Sequence, residues 1–205
     1  MSGILFVISA PSGTGKTTVA RRVQQCIEGL DWSVSYTTRK PREGEVDGRE
    51  YHFVDAEAFA VMKAEGAFLE SAEVFGNRYG TGLVETREKL AKGRDLLLEI
   101  DVQGAAQVRT GPVEAVSVMI LPPDFATLEA RLTGRGSEGA DQRAGRLAKA
   151  REEAEEYRHF NYVVVNAELD RAVEQVASIV RAERSRVERR GAEAQSILDG
   201  FPGRE

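Results

Sequence analysis

Short runs of apolar residues alternate along this chain with stretches of helical periodicity. The first run, Ile4–Ile8, has strand length and no polar interruption, which is typical of a parallel strand buried on both faces. Further runs of strand length are Leu96–Ile100, Val116–Leu121 and Tyr162–Val165. Apolar residues recur at helical spacing over residues 124–133, 140–158 and 168–188. This alternation predicts an α/β fold in which helices flank a parallel sheet.

The segment 35–90 breaks the alternation. It begins with a polar, turn-rich stretch, and short strand patterns follow around a helical stretch near residues 56–65. These strand patterns are Tyr51–Val54, Phe68–Phe75 and Arg78–Gly80. We therefore expect a small α+β insertion at 35–90 within a core formed by 1–34 and 91–190. The tail, 191–205, lacks sustained periodicity, and we expect it to be loosely ordered.

Composition and net charge limit the kinds of molecule that this protein is expected to bind. Hydrophobic residues make up 41% of the chain, and 28 Lys and Arg against 33 Asp and Glu leave a net charge of −5. Proteins that coat nucleic acids or bind anionic membranes carry an excess of positive charge. The apolar start Ile4–Ile8 is also far shorter than the ~20 residues of a membrane span. We expect a cytoplasmic protein without a nucleic-acid or membrane partner, in which clustered arginines can still bind a small polyanion.

The single cysteine, Cys26, excludes an internal disulfide and a zinc site built on cysteines. It suits a reducing compartment. Because Cys26 recurs on the apolar stripe of the first predicted helix, we expect it to pack in the core.

The loop after the first strand, Ala10–Thr17, carries the clearest chemistry. It nearly matches the G-x-x-x-x-G-K-[ST] spacing of a nucleotide phosphate loop, with alanine at the first glycine position. Gly13 and Gly15 permit torsions that point several N–H groups at one oxyanion, and the following helix adds the positive end of its dipole. Lys16 can reach the β- and γ-phosphates, and the Thr17 hydroxyl can ligate Mg²⁺. The buried strand before the loop and the helix after it favour a nucleotide phosphate site.

A second candidate site is the segment Ser35–Arg42, where three cations fall in four positions. Arg39 and Arg42 can fork around one phosphate, because guanidinium geometry matches phosphate oxygens. The alternative is a solvated basic loop. A binding site is favoured by polar side chains farther along the chain, Tyr51, Glu70, Tyr79 and Thr81.

Several short motifs are spread between about residue 4 and residue 188, which is nearly the whole chain. They are Ile8–Thr18, Ser33–Glu45, Asp47–Gly48, Tyr51–Phe53, Gly76–Thr81, Glu99–Gly104 and Leu132–Gly136. In this order they resemble the guanylate kinase family, and the Ser-Tyr-Thr-Thr-Arg-x-Pro-Arg-x-Gly-Glu block is more diagnostic than the phosphate loop. The family tolerates alanine at the first loop position. The resemblance implies a P-loop core, a GMP-binding insertion and a helical lid at about 134–158, and transfer of the ATP γ-phosphate to GMP.

For GMP, the resemblance implies two groups of contacts. The residues that would hold the phosphate are Arg39, Arg42, Tyr51 and Tyr79. The residues that would face guanine are Ser35, Glu70 and Thr81, with Glu99 and Asp101 nearby. The chemistry of the base agrees, because a carboxylate can accept from both N1–H and N2–H of guanine while a hydroxyl donates to O6. Adenine lacks N1–H, and sites built on such hydrogen bonds discriminate by up to ~10⁴–10⁵.

For ATP, the resemblance implies contacts from the loop, the lid and the end of the last strand. These residues are Ala10, Pro11, Ser12, Gly13, Thr14, Gly15, Lys16, Thr17, Thr18, Arg131 and Asn166. A helix N-cap is the alternative role for Asn166.

The predicted lid has arginines in a glycine-broken region that then becomes helical, namely Arg131, Arg135, Arg143 and Arg146. Such cations can lie over the charge that spreads in phosphoryl transfer. Arg135 and Arg146 match the family's lid arginines, and we predict that they are catalytic together with Lys16 and Arg39. The alternative is a solvated charged face, which is our interpretation of Glu152, Glu153, Glu155 and Glu156.

The predicted cofactor is Mg²⁺, bound together with ATP. Thr17 is its expected protein ligand, with phosphate oxygens and waters completing an octahedron. Asp101 follows a buried strand, at the edge where a doubly wound sheet places ligand-facing groups, and either a Mg²⁺-bound water or GMP fits there. The expected partners are ATP and GMP, and the sequence is compatible with a monomer or a homo-oligomer.

Two other functions fit part of the pattern. A related kinase for a ribosyl phosphate needs no guanine edge, so Ser35, Glu70 and Thr81 together speak against it. Guanylate-kinase-like modules that bind peptides in scaffold proteins tend to lose the phosphate loop, whereas this chain keeps Lys16 and Thr17. The sequence therefore favours an enzyme.

Overall fold

Two β-sheets organise the structure, a computed structural model that describes residues 2–74, 76–133 and 140–202. The strands are β1 (Leu5–Ser9), β2 (Leu30–Trp32), β3 (Ser35–Thr37), β4 (Tyr51–Phe53), β5 (Phe68–Val74), β6 (Asn77–Gly82), β7 (Asp95–Glu99), β8 (Ala115–Leu121) and β9 (Tyr162–Val165). The helices are α1 (Lys16–Cys26), α2 (Ala56–Ala64), α3 (Leu83–Ala91), α4 (Val102–Thr110), α5 (Phe125–Thr133), α6 (Ala140–Glu155), α7 (Leu169–Arg184) and α8 (Val187–Asp199). A 3₁₀ turn at Glu156–His159 follows α6.

The main sheet has five parallel strands in the order β2-β7-β1-β8-β9. Its central strand β1 pairs with β7 and β8, and all of its residues are buried. Burial on both faces explains why this strand is a continuous apolar run in the sequence. The predicted parallel sheet flanked by helices is confirmed.

Apolar layers cover the two faces of the main sheet. On one face, alternate β1 residues such as Phe6 and Ile8 pack with Val19 of α1 and Val176 of α7. On the other face, the intervening residues of β1 pack with side chains of α3 and α4, including Leu90, Ala105 and Val108. The phosphate loop and the carboxyl ends of the strands therefore stand on a rigid base.

The second sheet, in the order β4-β3-β6-β5, is built from the segment that breaks the sequence pattern. Strand β3 is parallel to β4 and antiparallel to β6, and β5 and β6 form a hairpin. Phe59 of α2 is buried and stacks on Phe68, with ring centroids 4.6 Å apart. The predicted strands and the predicted helix of this segment are confirmed to within a few residues, except that Phe75 lies outside the described residues.

Two expectations are wrong. The tail from residue 191 does not begin as loose chain, because α8 continues to Asp199, although none of its residues is buried. Cys26, the last residue of α1, is exposed and does not pack in the core. Within the described part of the chain, no helix combines the length and the apolar character that crossing a membrane requires.

Candidate active site

The phosphate loop connects the end of β1 to the start of α1. Gly13 and Gly15 have φ values of 86° and 91°, in the left-handed region that favours glycine. At Gly13 a Cβ atom would also lie 2.7 Å from Leu132 Cδ2, so the turn has no room for a side chain. Gly15 is the N-cap of α1, and no side chain caps this helix. The N–H groups at the start of α1 therefore have no side-chain cap, and such a helix start can bind an anion.

Two predicted residues hold the loop through its Thr14 carbonyl. Asn166 Nδ2 donates to Thr14 O at 2.8 Å, and Arg131 Nη1 donates to the same oxygen at 3.4 Å. Arg131 Nη2 also donates to Asn166 O at 3.1 Å. The N-cap alternative for Asn166 is wrong, because α7 begins at Leu169 with Glu168 as its N-cap.

A cavity of about 400 Å³, called here the phosphate-loop cavity, opens above the loop. The predicted residues on its wall are Ala10, Pro11, Ser12, Gly13, Gly15, Lys16, Thr17, Thr18, Asp101 and Arg146. The predicted Arg135 lies outside the described residues, as does part of the predicted lid. Residues on the wall that were not predicted are Glu73, Val74, Lys149 and Glu153.

Lys16 lies where the loop meets the carboxyl end of β7. Its Nζ donates to Ile100 O at 2.7 Å and is 4.0 Å from Glu99 Oε1. Burial lowers the pKa of Lys16 from its ordinary value, and the negative charges of Glu99 and Asp101 oppose that shift. The Thr17 hydroxyl donates to Glu99 Oε1, so the loop and β7 are joined by a hydrogen bond as well as by the lysine.

A second cavity of about 310 Å³, called here the acceptor cavity, lies between the two sheets. The predicted residues on its wall are Lys16, Thr17, Ser35, Tyr51, Glu70, Tyr79, Glu99 and Asp101. Arg21, Trp32, Ser33 and Glu50 also line it and were not predicted. Arg21 lies over the Trp32 ring at 5.6 Å from its centroid, a cation–π contact that the sequence gives no signal for.

Glu70 is a buried carboxylate in the wall of the acceptor cavity. Thr81 Oγ1 donates to Glu70 Oε1 at 2.6 Å, and Ser35 Oγ lies 3.5 Å from Thr81 Oγ1. Burial raises the pKa of Glu70 to about 7, helped by the charge of Asp101 and opposed by the Thr81 hydrogen bond. A Cβ atom at Gly104 would lie 2.8 Å from Glu70 Oε2, so only glycine lets α4 approach this carboxylate so closely.

Arg39 and Arg42, the two arginines of the predicted fork, both donate hydrogen bonds to Glu45. Arg39 Nη2 donates to Glu45 Oε1 at 2.8 Å, and its guanidinium lies 5.3 Å from the centroid of the Tyr51 ring. Arg42 is exposed, and its backbone N–H donates to Glu45 Oε2 at 2.7 Å. The hydrogen bond that Arg39 donates to the Glu45 carboxylate raises the pKa of Arg39. Glu45 thus accepts hydrogen bonds from the guanidinium group of Arg39 and from the backbone of Arg42.

Asp101 lies at the boundary between the two cavities. It is the N-cap of α4, where Oδ1 accepts from Gly104 N at 2.8 Å, and it lines both cavities. Both cavities are also lined by Lys16, Thr17 and Val74, so the two cavities share one wall. Of the described residues, no group of three His, Cys, Asp or Glu side chains is arranged to hold a metal ion by itself.

Glu153 differs from the solvated position that its neighbours in the sequence predict. Its Oε2 accepts from Ser12 N at 3.1 Å, and its Oε1 is 3.8 Å from Lys149 Nζ. The side chain is only 13% exposed. The interpretation of Glu153 as part of a solvated face is therefore wrong.

A phosphate loop beside a second, base-sized polar cavity defines a P-loop nucleotide kinase. Comparisons with known proteins agree: the guanylate kinase family profile matches residues 2–183. The guanylate kinase of Syntrophotalea carbinolica is 48% identical over 97% of this chain and 94% of its own. That of Neisseria meningitidis serogroup B is 53% identical over 88% of each chain. The crystal structure of guanylate kinase from Anaplasma phagocytophilum superposes with a TM-score of 0.73 at 32% identity, covering 99% of this chain and 97% of that one.

The chain belongs to the guanylate kinase family, which confirms the resemblance seen in its motifs. Guanylate kinases phosphorylate GMP with ATP and give GDP.

Proposed function

We propose that this chain transfers the ATP γ-phosphate to GMP inside one cleft, which the phosphate-loop cavity and the acceptor cavity form together. ATP would bind in the phosphate-loop cavity and GMP in the acceptor cavity. The observation that carries the proposal is the wall common to both cavities, on which Lys16, Thr17 and Asp101 lie. Phosphoryl transfer needs the acceptor oxygen close to the γ-phosphorus and cations over the developing charge. Two anion sites that share a wall carrying Lys16 meet both needs.

On the ATP side, main-chain N–H groups of the loop and of the first turn of α1 would bind the phosphates. Lys16 would neutralise charge on the transferred group, and Arg146 would add positive charge from α6. Arg131 and Asn166 support the loop through the Thr14 carbonyl. Arg135 belongs to the same proposal as a second lid arginine.

On the GMP side, the phosphate would be held by Arg39, Arg42, Tyr51 and Tyr79. The incoming phosphate would replace Glu45 as the anion beside Arg39. Guanine would bind with N1–H and N2–H on Glu70, while the hydroxyls of Ser35 and Thr81 complete the polar edge.

The cleft suits Mg²⁺ bound with ATP. Thr17 Oγ1 and the Glu99 carboxylate are oxygen donors that already meet in the cleft, and oxygen is the ligand that Mg²⁺ prefers. Thr17 would hold the ion together with phosphate oxygens. Bound Mg²⁺ neutralises charge on the phosphates.

The proposal also assigns roles to three parts of the chain. Residues 1–34 and 91–190 would form the ATP-binding core, 35–90 the GMP-binding insertion, and about 134–158 the lid. An exposed free thiol at Cys26 supports a reducing, cytoplasmic setting.

A coupled assay of ADP formation over a panel of acceptors tests the proposal. We expect Mg²⁺-dependent ADP formation with GMP, and rates at least about 10²-fold lower with AMP or UMP, because neither base offers the guanine donor pair. Ribose phosphates should be inactive and should not shift the unfolding temperature, whereas GMP should. Comparable turnover with AMP would reject the assignment of the base site.

The pH dependence of GMP use should follow Glu70. Its pKa is raised to about 7 in the free protein, and only the ionised carboxylate accepts from both guanine donors. The specificity constant kcat/KM for GMP should therefore rise about tenfold from pH 6 to pH 8 and then level off, since this constant reports groups of the free enzyme.

The phosphate of GMP also titrates near pH ~6 and adds to the measured profile. The Glu70→Gln variant keeps that contribution and removes the carboxyl, so the wild-type profile divided by the variant profile isolates Glu70. A ratio that stays flat from pH 6 to pH 8 would contradict the role given to this residue.

A further inference from the structure

The carboxylate of Glu153 contacts groups that an anion would use at the phosphate loop. Oε2 accepts from the backbone N–H of Ser12 at 3.1 Å, and Oε1 lies 3.8 Å from the ammonium of Lys149. Glu153 is 13% exposed at the side chain, whereas Glu152 and Glu155 on the same helix are exposed. The helix therefore turns one of its acidic side chains into the phosphate-loop cavity.

A carboxylate and a phosphate are alternative acceptors for the same donors. Both are anions that bind backbone N–H groups and ammonium groups through charge-assisted hydrogen bonds. They cannot occupy one N–H group together, and two anions in one cleft repel each other. Ser12 belongs to the loop, and Lys149, Lys16 and Arg146 line the same cavity. Glu153 thus neutralises part of the positive charge that the cavity presents to ATP.

We propose that Glu153 is an internal competitor of the ATP phosphates, and that Lys149 is a further phosphate-binding residue that this competitor masks. This inference rests on the proposed function of the cavity. Without ATP, Glu153 holds the Ser12 amide and Lys149. ATP displaces the carboxylate, so the amide and the Lys149 ammonium then face phosphate oxygens. The apparent affinity for ATP is lowered by the fraction of molecules in which Glu153 holds the loop.

Titration calorimetry of the full chain with the non-hydrolysable ATP analogue AMP-PNP, and separately with GMP, tests this inference. Glu153→Gln and Glu153→Ala should each bind AMP-PNP about 3- to 10-fold more tightly than the wild type, because one charged hydrogen bond no longer competes. GMP affinity should stay the same, since Glu153 lines only the phosphate-loop cavity. Glu152→Gln makes the same charge change on the same helix and should alter neither affinity.

Lys149 gives a second arm. Lys149→Ala should weaken AMP-PNP about 3- to 10-fold in the Glu153→Ala background, where the ammonium is unmasked. In the wild-type background the same substitution should have a smaller effect, because there the ammonium is paired with Glu153.

Weaker or unchanged AMP-PNP binding by both Glu153 variants would overturn the inference and would assign Glu153 a purely structural role. Equal tightening of AMP-PNP and GMP would also overturn it, because the effect would then be general electrostatics. Failure of the proposed function would be recognised separately, in the ADP assay. In that case the wild-type chain would form no ADP when GMP is added, whatever the calorimetry shows.

Discussion

Replacing Lys16 with alanine should lower kcat for GMP phosphorylation by about 10²–10³-fold, the range observed when one preorganised donor to a developing negative charge is removed. Lys16 is the cation on the wall common to both cavities, and its Nζ is fixed by Ile100 O at 2.7 Å. The remaining backbone donors of the loop should preserve much of the ATP binding. Steady-state kinetics with ATP and GMP varied separately would show a fall mainly in kcat.

Lys63→Ala is the matched control, because Lys63 is an exposed lysine in the last turn of α2 and away from the cleft. It should leave kcat unchanged. Far-ultraviolet circular dichroism and the unfolding midpoint establish that both variants fold. Turnover of the Lys16 variant within about threefold of the wild type would contradict the catalytic role given to Lys16 of the phosphate loop.

Replacing Glu70 with glutamine should lower kcat/KM for GMP by about 10²-fold or more, and leave the low kcat/KM for AMP almost unchanged. The glutamine amide can accept from one guanine donor, but its NH₂ then faces the other, and a buried unpaired donor is costly. The side chain is buried and accepts the Thr81 hydrogen bond, so it cannot turn away freely. Discrimination between GMP and AMP should shrink by the same factor.

Glu65→Gln provides the comparison, since Glu65 is an exposed carboxylate at the end of α2. It should behave as the wild type with both nucleotides. If Glu70→Gln instead lowered kcat/KM equally for GMP and AMP, the carboxylate would contribute to the structure of the cleft and would not discriminate between the bases.

The central strands β1 and β7 could be predicted from the sequence because they are buried on both faces and are therefore apolar almost throughout. The edge strand β9 also falls at the predicted residues Tyr162–Val165, where Val163 and Val165 keep the run apolar although they are exposed. Long helices with one buried face, such as α7, were predicted for the related reason that burial imposes a period.

Shorter or more exposed elements gave no comparable signal. α4 contains Gly104 in its first turns, and glycine disfavours a helix unless packing requires it. α8 has no buried residue, so no apolar stripe marks it, and Gly191 lies inside it. Strands β2 and β3 are only three residues long, too short for alternation to be recognised.

The candidate site was predictable where motif residues lie close together in the chain, and less so where the fold unites distant ones. The loop that opens α1 lines the phosphate-loop cavity, and the carboxylate Glu70 lines the acceptor cavity. The contact between Glu153 and Ser12 joins residues far apart in sequence, and nothing in an acidic helical stretch distinguishes the inward glutamate from its neighbours. The sequence also provided no sign that Glu45 accepts hydrogen bonds from both the Arg39 guanidinium and the Arg42 backbone N–H.

The most direct measurement is a calorimetric titration with a single molecule in which adenosine and guanosine are joined through five phosphates. If one cleft accommodates both nucleotides, this molecule should bind one to one and should compete with both ATP and GMP. It should also bind more tightly than either nucleotide alone, because the second half binds as part of the same molecule. Binding of two molecules per chain, or competition with only one of the nucleotides, would mean that the two anion sites do not serve a common reaction.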